Sequence, residues 1–140
     1  MQTSIHLRKL AADANVILSA VAGKAALRIF LREDIEIFTT QFNIDEVREY
    51  IGDIAGQYSL SEEILESQLT LLPLRIYSRP FYEDFIQKAS RKLSDRDEDD
   101  IELLALAMKL RVPVWSNDRD FKHAGIEVFT TAKLLKILKA

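Results

Sequence analysis

The sequence predicts a single α/β domain, a three-layer α/β/α sandwich around a central, mostly parallel sheet. Two observations favour this fold: short apolar segments typical of strands alternate with helical segments, and no repeat, linker or low-complexity tract divides residues 1–140. Hydrophobic residues make up 48% of the chain, which has only four glycines and three prolines, so we expect a packed core.

The predicted strands are short apolar or alternating runs that end beside polar residues. Their separation by helical segments favours parallel pairing, because parallel strands need crossover connections. Pro113 belongs near the start of its strand, since proline has no N–H to donate to a sheet ladder. The predicted strands are Leu10–Ala14, Ile35–Thr39, Leu74–Tyr77, Val112–Ser116 and Ile126–Phe129.

The predicted helices show apolar residues at helical spacing or recognisable start signals. Ser59 and Glu62 have the spacing of a capping box, and Pro80 suits the first position of a helix. We expect helices over residues 22–32, 42–55, 59–71, 80–93 and 97–110, and a last helix from about residue 132.

The composition excludes several classes of protein. No cysteine is present, so disulfides, thiolate metal sites and cysteine nucleophiles are excluded, and a cytoplasmic protein is expected. Residues 1–10 are too mixed for a signal peptide, and no apolar run approaches the roughly 18 residues of a membrane span. The net charge of −3 argues against binding nucleic acid by bulk charge alone. It becomes +3 when six candidate site acids are set aside, namely Asp13, Glu46, Asp97, Asp100, Asp118 and Asp120.

Two acidic stretches near the C-terminus are the most informative feature. Asp97-Glu98-Asp99-Asp100 opens the apolar helix of residues 101–110, and Asn117-Asp118-Arg119-Asp120 follows the strand that ends at Ser116. Ligands of parallel sheets bind beyond the carboxyl ends of the strands, where both Asp13 and Asp118 fall. Acids from distant segments are therefore expected at one edge of the sheet.

Helical periodicity sorts the other acids. Asp97 and Asp100 project toward the apolar stripe of their helix. Glu98-Asp99 and Glu102 project away from it, although leucines on the opposite face indicate that the helix is buried more widely. Glu46 lies at the edge of a second stripe, formed by Val47, Tyr50, Ile51 and Ile54.

Carboxylates gathered in one cleft repel one another unless a cation neutralises them. Mg²⁺ and Mn²⁺ prefer oxygen ligands, and a bound divalent cation polarises a phosphate oxygen and lowers the pKa of water. The expected substrate is therefore a phosphodiester. The candidate metal ligands are Asp13, Glu46, Asp97, Asp100 and Asp118, with Asp120 as an outer member.

Four segments, spread over nearly the whole chain, form one ordered set of motifs. They are Asp13-Ala14-Asn15-Val16-Ile17-Leu18, then Thr39-Thr40 with Asp45-Glu46-Val47, then Asp97-Glu98-Asp99-Asp100 with Leu104-Ala105-Leu106-Ala107, and last Trp115-Ser116-Asn117-Asp118-Arg119-Asp120-Phe121. This set resembles the PIN-domain family, in particular its small VapC-type toxin ribonucleases.

The resemblance implies an endoribonuclease that uses Mg²⁺ or Mn²⁺, acts on RNA and is paired with an antitoxin protein. It also implies a homodimer, for which the apolar helices of residues 22–71 would supply an interface. The implied catalytic acids are Asp13, Glu46, Asp100 and Asp118. The accessory candidates are Asn15, Ser116 (where the family often has threonine), Asn117 and Asp120.

Several alternatives stay open. The acids that begin the helix at residue 97 also suit the helix dipole, and Asn117 also suits a helix cap. Arg91, Lys92 and Arg96 are either a solvated face or contacts to the RNA backbone. The whole chain is alternatively a catalytically silent module that binds RNA or protein. Two other phosphate-handling folds rank lower, because Asp13-Ala14-Asn15 lacks the second acid of haloacid-dehalogenase-like hydrolases, and the strand-end lysine of receiver domains is missing.

Overall fold

The computed structural model describes residues 7–93, 98–118, 121 and 124–139, and it describes only the backbone of Tyr58, Glu98 and Asp99. Within these residues one parallel sheet contains β1 (Lys9–Ala12), β2 (Glu36–Thr40), β3 (Arg75–Tyr77), β4 (Val114–Trp115) and β5 (Val128–Phe129). The strand order is β3-β2-β1-β4-β5. The predicted sheet is confirmed, and the direction of strand addition reverses between β1 and β4, where parallel sheets commonly bind ligands.

Strand register aligns the carboxyl ends of the three central strands. Ala11 pairs with both Phe38 in β2 and Val114 in β4, and Ala12 pairs with Trp115. The residues that follow β1 and β4 therefore leave the sheet at the same edge. Asp13 is one of them, and its N–H donates to the carbonyl oxygen of Trp115 at 3.2 Å.

Helices cover both faces of the sheet, so the predicted three-layer α/β/α sandwich is confirmed. Side chains alternate across each strand, and Leu10 and Ala12 accordingly join one core while Ala11 joins the other. The helices are α1 (Ala14–Val21), α2 (Ala26–Phe30), α3 (Gln41–Tyr58), α4 (Glu62–Leu71), α5 (Arg79–Tyr82), a 3₁₀ turn (Glu83–Phe85), α6 (Ile86–Leu93), α7 (Glu98–Leu110) and α8 (Thr131–Leu138). Among the described helices, none combines the length and the apolar character needed to cross a membrane.

The first helical prediction covers only the second of two helices. The sequence predicts one helix over residues 22–32, whereas the structure has α1 directly after β1 and a shorter α2. Asp13 decides the difference, because its carboxylate accepts a hydrogen bond from the N–H of Val16 at 2.9 Å and so caps α1. Gly23 separates the two helices with a φ of 80°, a left-handed conformation that glycine adopts without strain.

Two predicted helix starts also need correction. Ser59 does not begin α4 but ends α3 with a φ of 55°, and Ser61 is the residue whose hydroxyl accepts from the N–H of Ile64. Pro80 does lie in the first turn of a helix, but that helix stops at Tyr82, and a 3₁₀ turn precedes α6. The predicted helix over residues 80–93 is therefore three short segments.

Two orientation predictions on the long helices are wrong. Tyr50 is 44% exposed, because the buried stripe of α3 consists of Ile44, Val47 and Ile51. Glu102 does not project into water, and it is only 3% exposed. Apolar residues surround α7 on most sides, so the spacing of residues along this helix does not define a single solvent-exposed face.

Candidate metal centre

A small cleft opens at the carboxyl edge of the sheet, beyond β1, β2 and β4. Its volume is about 60 Å³, which is enough for an ion with a few waters. We call it the acidic cleft. It is lined by Asp13, Ala14, Asn15, Asn43, Glu46, Asp100 and Asp118.

Asp13 forms the floor of the acidic cleft. It is 7% exposed, and its two carboxylate oxygens accept hydrogen bonds from the N–H of Val16 and from the hydroxyl of Ser116. Burial raises the pKa of Asp13, the two hydrogen bonds oppose that rise, and the charge of Asp118 adds to it. A nearby cation would therefore stabilise the ionised form of Asp13.

Ser116 joins the ends of β1 and β4. Its buried hydroxyl donates to Asp13 and accepts from the N–H of Asp118 at 3.0 Å. One side chain thus orients the carboxylate of Asp13 and the backbone that carries Asp118. This contact brings together the first and the last of the four predicted catalytic acids, Asp13 and Asp118.

The opposite walls of the acidic cleft come from α3 and α7. Glu46 and Asn43 lie one helical turn apart on α3, and Asp100 lies in the first turn of α7. Thr40 caps α3, because its hydroxyl accepts from the N–H of Asn43 at 2.9 Å and donates to the amide oxygen of Asn43 at 2.6 Å. This cap places Asn43 at the cleft for a local reason.

The donor chemistry of the acidic cleft fits a hard divalent cation. Four carboxylates and two amide side chains supply oxygens, and the described part of the chain adds no histidine, cysteine or cation to the lining. Within the described residues, no three acidic or histidine side chains lie close enough together to form a metal cluster as they stand. The acids are therefore arranged around the cleft rather than already gathered at one point.

The other predicted site residues lie apart from the cleft or outside the described residues. Asn117 accepts from the N–H of Thr131 at 2.8 Å, so it joins the end of β4 to α8 and acts at the start of that helix rather than of a local turn. Lys92 lines a separate cleft, beside the residues that precede β4 and β5, and Arg91 is exposed on α6. A contact of either cation with RNA stays a prediction. Asp97, Asp120 and Arg96 lie outside the described residues.

Sequence reasoning missed one lining residue and one buried carboxylate. Asn43 could have been found from its position three residues before Glu46, which puts both on the same face of α3. Glu102 is held by Tyr82, which lies 20 residues earlier and on a different helix. No local pattern in the sequence signals that contact.

The matching family model describes a PIN domain over residues 12–139. The model spans far more than half of the chain and includes all four lining acids. This chain belongs to the PIN-domain family, as its motifs predict.

Solved structures support the same fold. The chain is similar to VapBC2 from Rickettsia felis, which was crystallised with a DNA fragment from its promoter. The TM-score is 0.64 and the sequence identity is 14%, and the alignment covers 87% of this chain and 98% of that one. It is also similar to VapC20 from Mycobacterium tuberculosis, a toxin that cleaves the sarcin–ricin loop, with a TM-score of 0.58 and 18% identity, covering 84% of this chain and 95% of that one. No curated protein sequence matches this chain.

Proposed function

We propose that this protein is an endoribonuclease that depends on Mg²⁺ or Mn²⁺ and hydrolyses RNA phosphodiester bonds. The observation that carries the proposal is the acidic cleft, in which Asp13, Glu46, Asp100 and Asp118 line one small opening. Family membership supports the proposal, because the family model spans all four acids, and the sequence motifs that contain them resemble those of the family. A bound divalent cation would polarise a phosphate oxygen and lower the pKa of a water.

The side chains of the cleft divide the work of holding such a cation. Asp13, Asp100 and Asp118 are the proposed direct ligands, with Glu46 acting directly or through water. Ser116 and the N–H of Val16 keep the carboxylate of Asp13 fixed, so its charge does not reorient when substrate arrives. No histidine base would be needed, because the charge of a bound cation would ease the removal of a proton from water.

Toxin activity and an antitoxin partner are part of the same proposal. VapBC2 was crystallised with a DNA fragment from its promoter, VapC20 is a toxin that cleaves the sarcin–ricin loop, and their folds resemble this one. We also propose a homodimer. The predicted interface helices include α4, on which Ile64 and Leu71 are 56% and 79% exposed, and sedimentation of the purified chain tests this point.

The central test is the substitution Asp100→Asn, with Asp45→Asn as its matched control. Asp45 lies on α3 beside Glu46, but it is exposed and accepts from Gln41 rather than lining the cleft. We expect Asp100→Asn to keep the fold and lower Mn²⁺-dependent cleavage of single-stranded RNA by on the order of a hundredfold or more, whereas Asp45→Asn stays near wild type.

Cleavage rates and circular dichroism of both variants decide the outcome. Full activity of Asp100→Asn in a preparation free of contaminating nucleases contradicts the proposal. A wild-type protein that neither cleaves RNA nor gives heat in a titration with millimolar Mn²⁺ favours the silent binding module instead.

A further inference from the structure

A second cavity lies at the edge of the sheet opposite the acidic cleft. It is beside the residues that precede β4 and β5, whereas the acidic cleft lies beyond the ends of β1, β2 and β4. Its volume is about 630 Å³, within the range of sites that bind organic ligands. We call it the amino-edge cleft. Its lining includes Lys88, Lys92, Met108, Arg111, Ile126 and Glu127.

Three cations and one acid are the charged side chains of this lining. Lys88 and Lys92 are one turn apart on α6, a spacing at which like charges repel, and Arg111 follows the last residue of α7. The ammonium of Lys92 lies over Gly125, 3.5 Å from the position that a Cβ atom would occupy there. No ion pair between described residues includes any of the three cations. With Glu127 as the one carboxylate of the described lining, the cleft has excess positive charge, and its complement is an anion.

The positive surface continues along the same edge of the sheet. An adjoining groove of about 450 Å³ shares Arg111 and Glu127 with the amino-edge cleft. It adds Arg8 and Lys9, at the start of β1. The two cavities together cross the amino ends of β1, β4 and β5, so the surface accommodates an elongated ligand.

The floor of the amino-edge cleft is apolar, which distinguishes between elongated anions. Met108 and Ile126 are half-buried there and Val112 is buried. A phosphate backbone makes no use of such a floor, and Phe85 is the one aromatic side chain in the described lining on which a base could stack. Helix α7 also ends at this cleft, and the last carbonyl oxygens of a helix have no partner within it. An acidic peptide offers carboxylates to the cations, apolar side chains to the floor and N–H groups to such carbonyl oxygens.

Arg111 has a backbone conformation that favours glycine. Its φ is 60°, and the N–H of Val112 donates to the carbonyl oxygen of Ala107 at 3.0 Å, which closes the end of α7. Glycine adopts this conformation without strain, whereas arginine does so at a cost. The chain thus has a cation at a position where glycine would stabilise the end of the helix, which points to a role for the side chain.

We infer that the amino-edge cleft binds an acidic peptide segment of a partner protein. Carboxylates of the segment pair with Lys88, Lys92 and Arg111, and one of its apolar side chains packs on Met108 and Ile126. The inference does not depend on metal binding or on RNA cleavage, because the acidic cleft lies at the other edge of the sheet.

Met108 is a specific reporter for this cleft, because Met1 is the only other methionine of the chain. The protein is labelled with ¹³C at the methionine methyl groups and titrated by NMR at low salt in chelator. The probe is a short capped peptide with the repeat Glu-Glu-Leu. We expect a saturable shift of the Met108 signal. A matched peptide with the repeat Gln-Gln-Leu should bind about tenfold more weakly, because several ion pairs are lost together.

The principal variant is Arg111→Gly, with Ser59→Gly as its matched control. Ser59 ends α3 with a φ of 55° and does not line the amino-edge cleft, so both substitutions relieve the same backbone conformation. We expect neither variant to unfold at a lower temperature than wild type. Affinity for the acidic peptide should fall about threefold to fivefold in Arg111→Gly and stay unchanged in Ser59→Gly. The double variant Lys88→Glu with Lys92→Glu reverses two charges and should lose about tenfold or more.

Each outcome decides the inference. It is overturned if millimolar Glu-Glu-Leu peptide leaves the Met108 signal unchanged, if the Gln-Gln-Leu peptide binds equally well, or if Arg111→Gly binds the acidic peptide as tightly as Ser59→Gly does. It is also overturned if a short oligouridylate shifts the Met108 signal at lower concentrations than the acidic peptide. That result would assign these cations, with the predicted RNA contact Lys92 among them, to RNA.

Discussion

Asp13 and Glu102 are the two buried carboxylates among the described residues, and their surroundings differ in one decisive respect. Glu102 has the guanidinium of Arg79 at 3.6 Å and the phenol of Tyr82 at 2.5 Å. Asp13 has hydrogen-bond donors from Ser116 and Val16, but no ion pair within the described residues includes it, and its charged neighbour is Asp118.

The difference teaches how to distinguish a structural carboxylate from a candidate ligand. Burial of a charge is costly unless it is paired. At Glu102 the protein supplies the pairing cation itself. At Asp13 it supplies hydrogen-bond donors that orient the carboxylate and lines an open cleft with further acids. Under the proposed function, the compensating cation would come from outside the chain. Burial alone does not separate the two cases, whereas the sign of the neighbouring charges does.

The largest expected effect is the loss of stabilisation by metal in Asp13→Asn. At Mn²⁺ concentrations about 100 times the dissociation constant, the free energy of unfolding of the wild type should rise by about 2.7 kcal/mol. Asp13→Asn should show almost none of this gain, because a neutral amide replaces the buried carboxylate. Thermal unfolding with and without Mn²⁺ measures both values. If Mn²⁺ raised the free energy of unfolding equally in the two proteins, Asp13 would not be a metal ligand. The proposed difference between Asp13 and Glu102 would then be wrong.

The reciprocal substitution, Glu102→Leu, should reduce stability whether or not metal is present. It leaves the hydroxyl of Tyr82 buried without its acceptor, a loss that typically costs about 1–3 kcal/mol. The partner Arg79 is half exposed, so water compensates that side of the pair. Urea unfolding of metal-free protein gives the measurement. A neutral or stabilising result would mean that apolar packing at residue 102 outweighs the pair.

A smaller effect on metal binding is expected for Ser116→Ala, which removes one of the hydrogen-bond donors to Asp13 without changing any charge. Loss of this hydroxyl removes the hydrogen bond to the carboxylate and the anchor of the Asp118 N–H. We expect Mn²⁺ affinity to fall about tenfold, equivalent to about 1.4 kcal/mol. Ser116→Thr is the matched control, because it keeps the hydroxyl. Calorimetric titration of both variants tests the point, and equal affinities in Ser116→Ala and wild type contradict it.

Sequence reasoning found the acids whose positions follow from topology or from a clear helical phase. Asp13 and Asp118 follow strands of a parallel sheet, and the carboxyl ends of such strands share one edge. Glu46 lies beside a single buried stripe on α3, so its direction could be predicted. The same reasoning failed for Glu102, because α7 is apolar on most sides and its partner comes from another helix. The same reasoning also missed α1, because the apolar run that forms this helix is compatible with either a strand or a helix. The hydrogen bond from the N–H of Val16 to the carboxylate of Asp13 caps the helix and so selects it.

The smallest expected effect is a pH dependence of stability in metal-free protein, and it separates Asp13 from the other acids. Burial raises the pKa of Asp13 in the folded state above its ordinary value of 3.8, so between those two values the folded state binds more protons than the unfolded state. The free energy of unfolding therefore decreases as pH rises through this range and levels off above the folded pKa. The hydrogen bonds from Ser116 and Val16 oppose the effect of burial, which remains the largest cause of the shift. Asp13→Asn lacks this titration, so its stability relative to wild type should grow with pH from about 4 upward and then become constant.

Urea unfolding of both proteins in chelator across pH 4 to 8 gives the difference directly. A difference that is flat, or that shrinks as pH rises, would mean that the ionised form of Asp13 is already compensated within the fold, as that of Glu102 is, and that no external cation is required there.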